Sequence, residues 1–194
     1  MLKRTPLPCF ILLAAMSLQA LASQQVLEHI RRHRLSGGLI VQVGVDDPIA
    51  LTSYARGNLI VQGLDMDPRK VDRGRKQILT EKRYGSVSLQ RLYSPEELPY
   101  RSNLVRILIV KSGYGLTREE MLRVVTPGGQ VFISNGDSWE QLTKQWPAEM
   151  DQWNHFLHGP DNNAVSNDEL VEPPRHCEWT ASPMWGRSHE ITPS

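Results

Sequence analysis

The sequence predicts an α/β domain, a three-layer sandwich with a parallel five-stranded sheet between two layers of helices. Short apolar runs rich in β-branched residues recur between residues 39 and 133, and segments of helical periodicity or loops separate them. An unbroken apolar run suits a strand that is buried on both faces, which is typical of parallel sheets. Right-handed crossovers then favour the strand order 3-2-1-4-5, with a ligand crevice at the carboxyl ends of the first and fourth strands.

The individual elements follow from local signals. Strands are expected at Leu39–Val43, Asn58–Leu64, Ser86–Leu92, Asn103–Val110 and Val131–Ile133. Helices are expected at Gln24–Arg34, Pro48–Arg56, Pro68–Thr80 and from Thr117 to about Val125. Pro68 suits a first helical position, and Thr117 with Glu120 three residues later has the pattern of a capping box. Pro127-Gly128-Gly129 is expected to turn the chain into the last strand.

Composition and charge limit the possible partners. The chain has 194 residues, of which 40% are hydrophobic and 22% charged, and its net charge is +1. This near-neutral balance argues against nucleic acid or an anionic membrane surface as a partner. A basic stretch between Arg69 and Arg83 is interrupted by Asp72 and Glu81, so it is interpreted as the solvated face of a helix rather than an RNA-binding surface.

Residues 1–22 have the pattern of a secretory signal peptide. Lys3 and Arg4 precede a short apolar stretch, and Ala20-Leu21-Ala22 resembles a small-residue cleavage site. The apolar stretch is short for a membrane span, although an uncleaved N-terminal anchor is the alternative. We therefore expect an exported chain, periplasmic or secreted, without a transmembrane segment after cleavage.

Cysteine and histidine usage does not predict a metal site. Cys9 would leave with the signal peptide, so Cys177 would remain as a single thiol, and its role is open. The C-terminal histidines do not combine with it into a closed zinc-binding pattern. The four are His155, His158, His176 and His189.

Several segments in order resemble the class I S-adenosylmethionine (SAM) dependent methyltransferase family. Val41–Asp46 lies where the family has a glycine-rich turn after the first strand, and Val61–Pro68 resembles the end of the second. Leu98–Tyr100, Asn103–Val110 and Val125–Gly129 match later landmarks of the family in order and spacing. Together they cover about half of the chain. The resemblance implies a Rossmann-like fold over residues 23–135 and SAM as the cofactor.

The resemblance also implies cofactor-binding positions. These are Gly44 and Asp46 in the turn, Asp65 as the acceptor of both ribose hydroxyls, and Ser94 where relatives hold the adenine amino group. For Asp65 the alternative is capping of the following helix, a role to which Asp67 before Pro68 is equally suited. A catalytic residue cannot be named from the sequence.

The turn departs from the family pattern. Only Gly44 of the usual three glycines is present, and Asp46 and Pro48 are expected to project where the backbone should approach the cofactor. Ser94 replaces an Asp, and Asn103 replaces the Asp that usually opens the fourth strand. These departures predict a degenerate cofactor site.

Residues 136–194 are expected to form an irregular tail, and part of it carries a second resemblance. Trp146–Ser166, Pro173–Arg175 and Trp185–Glu190 are similar to the junction between a methyltransferase-like domain and a β-propeller of the pyrroloquinoline quinone (PQQ) binding type in large exported bacterial proteins. The chain ends before one four-stranded blade, so no PQQ site is expected within it. Two functions remain open: an exported SAM-dependent methyltransferase, or a non-catalytic module of a truncated propeller protein that associates with a propeller domain.

Overall fold

The computed structural model of the protein describes residues 24–134, 138–151, 153, 155–161 and 163–170. The predicted signal peptide, residues 1–22, lies outside these residues. So do Cys9, His176, Cys177, Trp179, Trp185 and His189. The chain divides into two compact units, Met1–Trp146 and Pro147–Ser194, which are described separately.

A six-stranded sheet in the order β3-β2-β1-β4-β5-β6 forms the centre of the first unit. The strands are β1 Gly37–Val43, β2 Asn58–Asp65, β3 Val87–Arg91, β4 Val105–Val110, β5 Val125–Ser134 and β6 Trp139–Thr143. The first five pair in parallel, whereas β6 runs antiparallel to β5. The predicted Rossmann-like fold and its order 3-2-1-4-5 are confirmed, and β6 extends the sheet beyond that prediction.

Helices lie on the two faces of this sheet. They are α1 over 24–32, α2 Pro68–Thr80 and α3 Arg118–Val124, together with a 3-10 helix at Ala50–Ser53. One buried cluster includes Val26 of α1, Ile40 of β1 and Ile78 of α2. A second cluster includes Val41 of β1 and Met121 of α3. Because neighbouring residues of β1 belong to different clusters, the sheet separates two cores, as a three-layer sandwich requires.

The helix expected at Pro48–Arg56 is wrong, because only the 3-10 helix Ala50–Ser53 forms there. The Thr52 and Ser53 hydroxyls donate to the carbonyl groups of Ile49 and Ala50 at 2.7 Å each. Such local side-chain bonds compete with helix propagation, and the segment must return quickly to the start of β2.

The helix starts behave largely as predicted. Asp67 caps α2 by accepting the Arg69 N–H at 2.8 Å, and Thr117 caps α3 by accepting the Glu120 N–H at 3.2 Å. The Glu120 carboxylate accepts the Leu98 N–H at 2.7 Å instead of returning to the cap residue. The capping box at α3 is therefore only half formed.

The turn expected at Pro127-Gly128-Gly129 is instead an irregular section within β5. Val105 pairs with Val125 and Ile107 with Gln130, so the residues between them leave the regular register with β4. On their other side Gly128 donates to the carbonyl of Lys144, and Gly129 accepts the Lys144 N–H. Contact with the returning β6 segment thus holds this irregular section in the sheet, with Gly128 at a φ of +71°.

The second unit is described between residues 147 and 170. One carboxylate oxygen of Asp151 lies 2.5 Å from Nε2 of His158 and also accepts the Asn167 N–H at 2.7 Å. Within the residues that the structure describes, no group of side chains has the composition of a metal site. In that same part of the chain, no helix has the length and apolarity needed to cross a membrane.

Candidate functional site

The structure brings three of the four predicted cofactor-binding residues together at the carboxyl ends of β1 and β2. Gly44 follows β1 and donates to the Leu64 carbonyl at 2.8 Å, and the next N–H, that of Val45, donates to Oδ2 of Asp65 at 3.1 Å. Asp46 follows directly. Ser94 lies in the loop after β3, where its hydroxyl accepts the Glu96 N–H at 3.2 Å. Cofactor contact by these residues stays a prediction.

The Asp65 carboxylate is buried, with only 2% of the residue exposed, and the chain supplies its hydrogen bonds. Oδ2 accepts the Val45 N–H, and Oδ1 accepts the Asp67 N–H at 2.9 Å. The phenol of Tyr114 lies near the carboxylate. Lys70 adds a positive charge 3.9 Å from Oδ2. Asp65 therefore ties the turn after β1 to the start of α2.

Tyr114, which the sequence analysis did not select, lies against the glycine turn. A Cβ placed on Gly44 would lie 2.7 Å from Cε2 of Tyr114 and 2.9 Å from Cβ of Lys111. Gly44 also has a φ of +85°, which other residues rarely adopt. The atoms that lie closest to this turn therefore belong to side chains of the protein itself, those of Tyr114 and Lys111.

The phenol of Tyr114 stays protonated beside the Asp65 carboxylate. Burial, reinforced by the negative charge of Asp65, raises the pKa of Tyr114 well above its usual value. The residue sits between Gly113 and Gly115, whose φ angles of +92° and +66° lie in the left-handed region. A tyrosine between two glycines in the loop after β4 was the available sequence signal, but nothing local indicates that its ring reaches back to β1.

Asp46 forms ion pairs that span the crevice between β1 and β4. Its carboxylate binds Lys111 at the end of β4, and its other oxygen lies 3.2 Å from Nζ of Lys70 on α2. The hydrogen bond from Lys111, followed by the charge of Lys111 and the bond from Lys70, lowers the pKa of Asp46 despite partial burial. The bond to Asp46 likewise raises the pKa of Lys70. The turn after β1, the end of β4 and helix α2 are thus linked above the crevice.

The expectation for Pro48 is wrong. Pro48 is buried, and its Cγ would lie 2.8 Å from a Cβ added to Gly74 of α2. Its ring therefore packs on the helix and does not project into the space above Gly44. Of the two side chains expected to obstruct the turn, only Asp46 bridges the crevice.

The segment Leu98–Tyr100 is held by α3. Arg123 donates to the carbonyl groups of Leu98 and Tyr100, the latter at 2.9 Å, and binds Glu120 through two nitrogens at 2.6 and 2.7 Å. The bond to Arg123 is the main reason that the pKa of Glu120 is lowered. The segment Leu98–Tyr100, which the resemblance matches to the family, therefore helps to attach α3 to the rest of the chain.

A small pocket lies beside the turn. Its volume is about 260 Å³, and its lining includes Asp46, Asp47, Pro48, Lys70 and Arg73. Charged side chains of both signs thus face the same small space, and two of them already pair with each other. Neither Gly44 nor Asp65 contributes to its lining.

Comparison with known proteins gives matches among solved structures. No family model matches the chain, and no curated protein matches it. A candidate S-adenosyl-L-methionine-dependent methyltransferase from Methanococcus maripaludis is 16% identical, with a TM-score of 0.49 over 69% of this chain and 67% of its own. A geranyl diphosphate C-methyltransferase from Streptomyces coelicolor, solved with S-adenosyl-L-homocysteine, is 17% identical, with a TM-score of 0.47 over 62% of this chain and 48% of its own.

A SAM-dependent methyltransferase from Aquifex aeolicus is also similar. It is 15% identical, with a TM-score of 0.43 over 55% of this chain and 62% of its own length. The chain therefore spans between about half and two thirds of these three proteins. At such identities and TM-scores, neither ligand nor activity carries over, and the function has to be inferred from the residues of the chain itself.

Proposed function

We propose that this chain is a methyltransferase-like domain of an exported protein whose SAM site has degenerated, and that it acts as a non-catalytic module. The observation that carries this proposal is the enclosure of Asp65, the predicted ribose acceptor, by donors of the chain itself. The signal-like residues 1–22 support export.

Ribose binding would require a rearrangement around Asp65. Two backbone N–H groups already use the carboxylate, one on each oxygen, and the Tyr114 phenol lies beside it, so that only 2% of the residue is exposed. A ligand would have to displace one of these N–H donors, and a hydrogen bond to a charged group contributes about 1.5 to 3 kcal/mol. Such a penalty weakens binding about tenfold to a hundredfold.

Contacts within the chain also occupy the turn after β1. The Val45 N–H, which the resemblance would place near the amino-acid end of SAM, donates to Asp65. The ring of Tyr114 covers Gly44, and the Asp46–Lys111 pair closes the space between β1 and β4. Ligand entry would therefore also have to break an ion pair.

Calorimetric titration of the protein with SAM and with S-adenosylhomocysteine tests the proposal. We expect dissociation constants weaker than about 1 mM for the wild type. Tyr114→Ala removes the ring that covers Gly44 and lies beside Asp65, so it should tighten SAM binding by about tenfold or more. Phe156→Ala, which removes a ring that is 94% exposed, is the matched control and should change nothing. Wild-type binding of SAM in the low micromolar range would refute the proposal.

The module is further proposed to act in recognition or assembly next to a propeller domain. The support is the similarity of Trp146–Ser166 to the junction that precedes PQQ-type propellers. The reading frame downstream in the genome decides this part: propeller blades there would support it, and an unrelated gene would contradict it.

A further inference from the structure

A second surface pocket of about 560 Å³, here called the edge pocket, lies at the free edge of β3. Its lining includes Gln62, Asp72, Arg75, Tyr84, Arg91 and Tyr93. None of the four predicted cofactor residues lines it. Its volume is within the range of small-molecule sites, about 300 to 1,000 Å³.

Two guanidinium groups give the edge pocket a positive character. Nε of Arg75 donates to the Leu89 carbonyl at 2.9 Å, which anchors the arginine along β3. The one carboxylate in the lining, that of Asp72, lies 3.9 Å from Nη1 of Arg75, beyond hydrogen-bond distance. Arg91 is two residues after Leu89 on the same face of the strand, about 7 Å along it. Both arginines can therefore reach one bound anion.

Exposed aromatic rings flank these charges. Tyr93 is 79% exposed and Tyr84 is 61% exposed. The guanidinium carbon of Arg91 lies 4.9 Å from the centre of the Tyr93 ring, so a cation already stacks on this aromatic face. Tyrosine and arginine together are typical of recognition surfaces, because both combine a flat apolar face with hydrogen-bonding groups.

We propose that the edge pocket binds a small anion of the nucleoside monophosphate class, in which a charged phosphate is joined through a sugar to a planar base. Guanidinium groups suit the oxygens of a phosphate, and a tyrosine ring suits a flat base. A peptide strand added to β3 is the less favourable occupant, because backbone groups of this segment are already used. Arg75 donates to the Leu89 carbonyl, and the Val87 N–H donates to Arg83.

Titration of the full chain with adenosine monophosphate, adenosine and inorganic phosphate, followed by NMR chemical shifts, tests this inference. Adenosine monophosphate should bind at least about tenfold more tightly than either of the other two, because only it has both the charge and the ring. Arg91→Gln and Tyr93→Ala should each weaken it by about tenfold. Arg69→Gln, an exposed arginine of α2 outside the lining, is the control and should leave affinity unchanged.

Three results would overturn the inference. Adenosine monophosphate that binds no better than phosphate would mean that the arginines attract any anion. Equal affinity in Arg91→Gln and wild type would place the ligand elsewhere, and a change in Tyr114→Ala would place it in the crevice. Because Arg91→Gln and Tyr93→Ala test the edge pocket whereas SAM binding is tested in the crevice, either proposal can fail while the other stands.

Discussion

Replacement of Asp65 by Ala should destabilise the protein strongly, because the carboxylate has a structural role. Two donors lose their acceptor, the N–H groups of Val45 and Asp67. At about 1.5 kcal/mol for each hydrogen bond to the charged group, the loss is about 3 kcal/mol. That is a large part of the ~5 to 15 kcal/mol by which domains are stable.

Urea unfolding followed by tryptophan fluorescence measures this loss. With a slope of about 1 to 3 kcal/mol per molar urea, the midpoint of Asp65→Ala should fall by about 1 to 3 M. Asp72→Ala removes an exposed carboxylate with one long ion pair and should leave the midpoint nearly unchanged. A midpoint of Asp65→Ala equal to or above the wild-type value would refute the reasoning, since it would mean that the carboxylate is reserved for a ligand.

Further substitutions test other contacts. Gly44→Ala should cost clearly more stability than Gly113→Ala in the same assay, because both have φ near +90° but only the first Cβ would meet other atoms; equal losses would contradict the packing described. The pKa of Asp46 is lowered on folding, so its ion pairs should stabilise the wild type relative to Asp46→Asn by about 0.5 kcal/mol at pH 6. This difference should disappear as the pH falls below 3.8 through the folded pKa, and a difference that persists at pH 2 would exclude the charge as its cause. Arg123→Gln should lower the free energy of unfolding by about 1 to 3 kcal/mol, because three acceptors lose their donor; an unchanged urea midpoint would show that α3 holds this segment by apolar contacts alone.

The strands that carry short apolar runs could be predicted from the sequence. β1, β2 and β4 contain unbroken apolar runs, and the direction of the crossovers then left one natural order. β6 was missed because its sequence, Trp-Glu-Gln-Leu-Thr, is largely polar. Its pairing depends on distant partners, since Gln141 and Thr143 both donate to the side chain of Gln130 at 2.9 Å.

The candidate site was predictable only in part, for a similar reason. Gly44 and Asp65 meet because the carboxyl ends of neighbouring parallel strands lie on the same side of the sheet. Whether Asp65 faces a ligand or a neighbour depends on Tyr114, about fifty residues later in the chain, and no local rule links the two. Asp67 was easier to predict, because a cap involves only the next few residues.

The antiparallel direction of β6 determines where the polypeptide leaves the sheet. β5 ends on the same side of the sheet as Gly44 and Asp65, where the carboxyl ends of the parallel strands lie. β6 brings the chain back from there, so that Lys144 pairs with Gly128 and Gly129. A five-residue strand covers roughly 17 Å. The chain therefore leaves the sheet after Thr143 on the side of the amino ends of the parallel strands. A fluorescent reporter or surface tether fused there would leave the approach to the crevice open during ligand titrations.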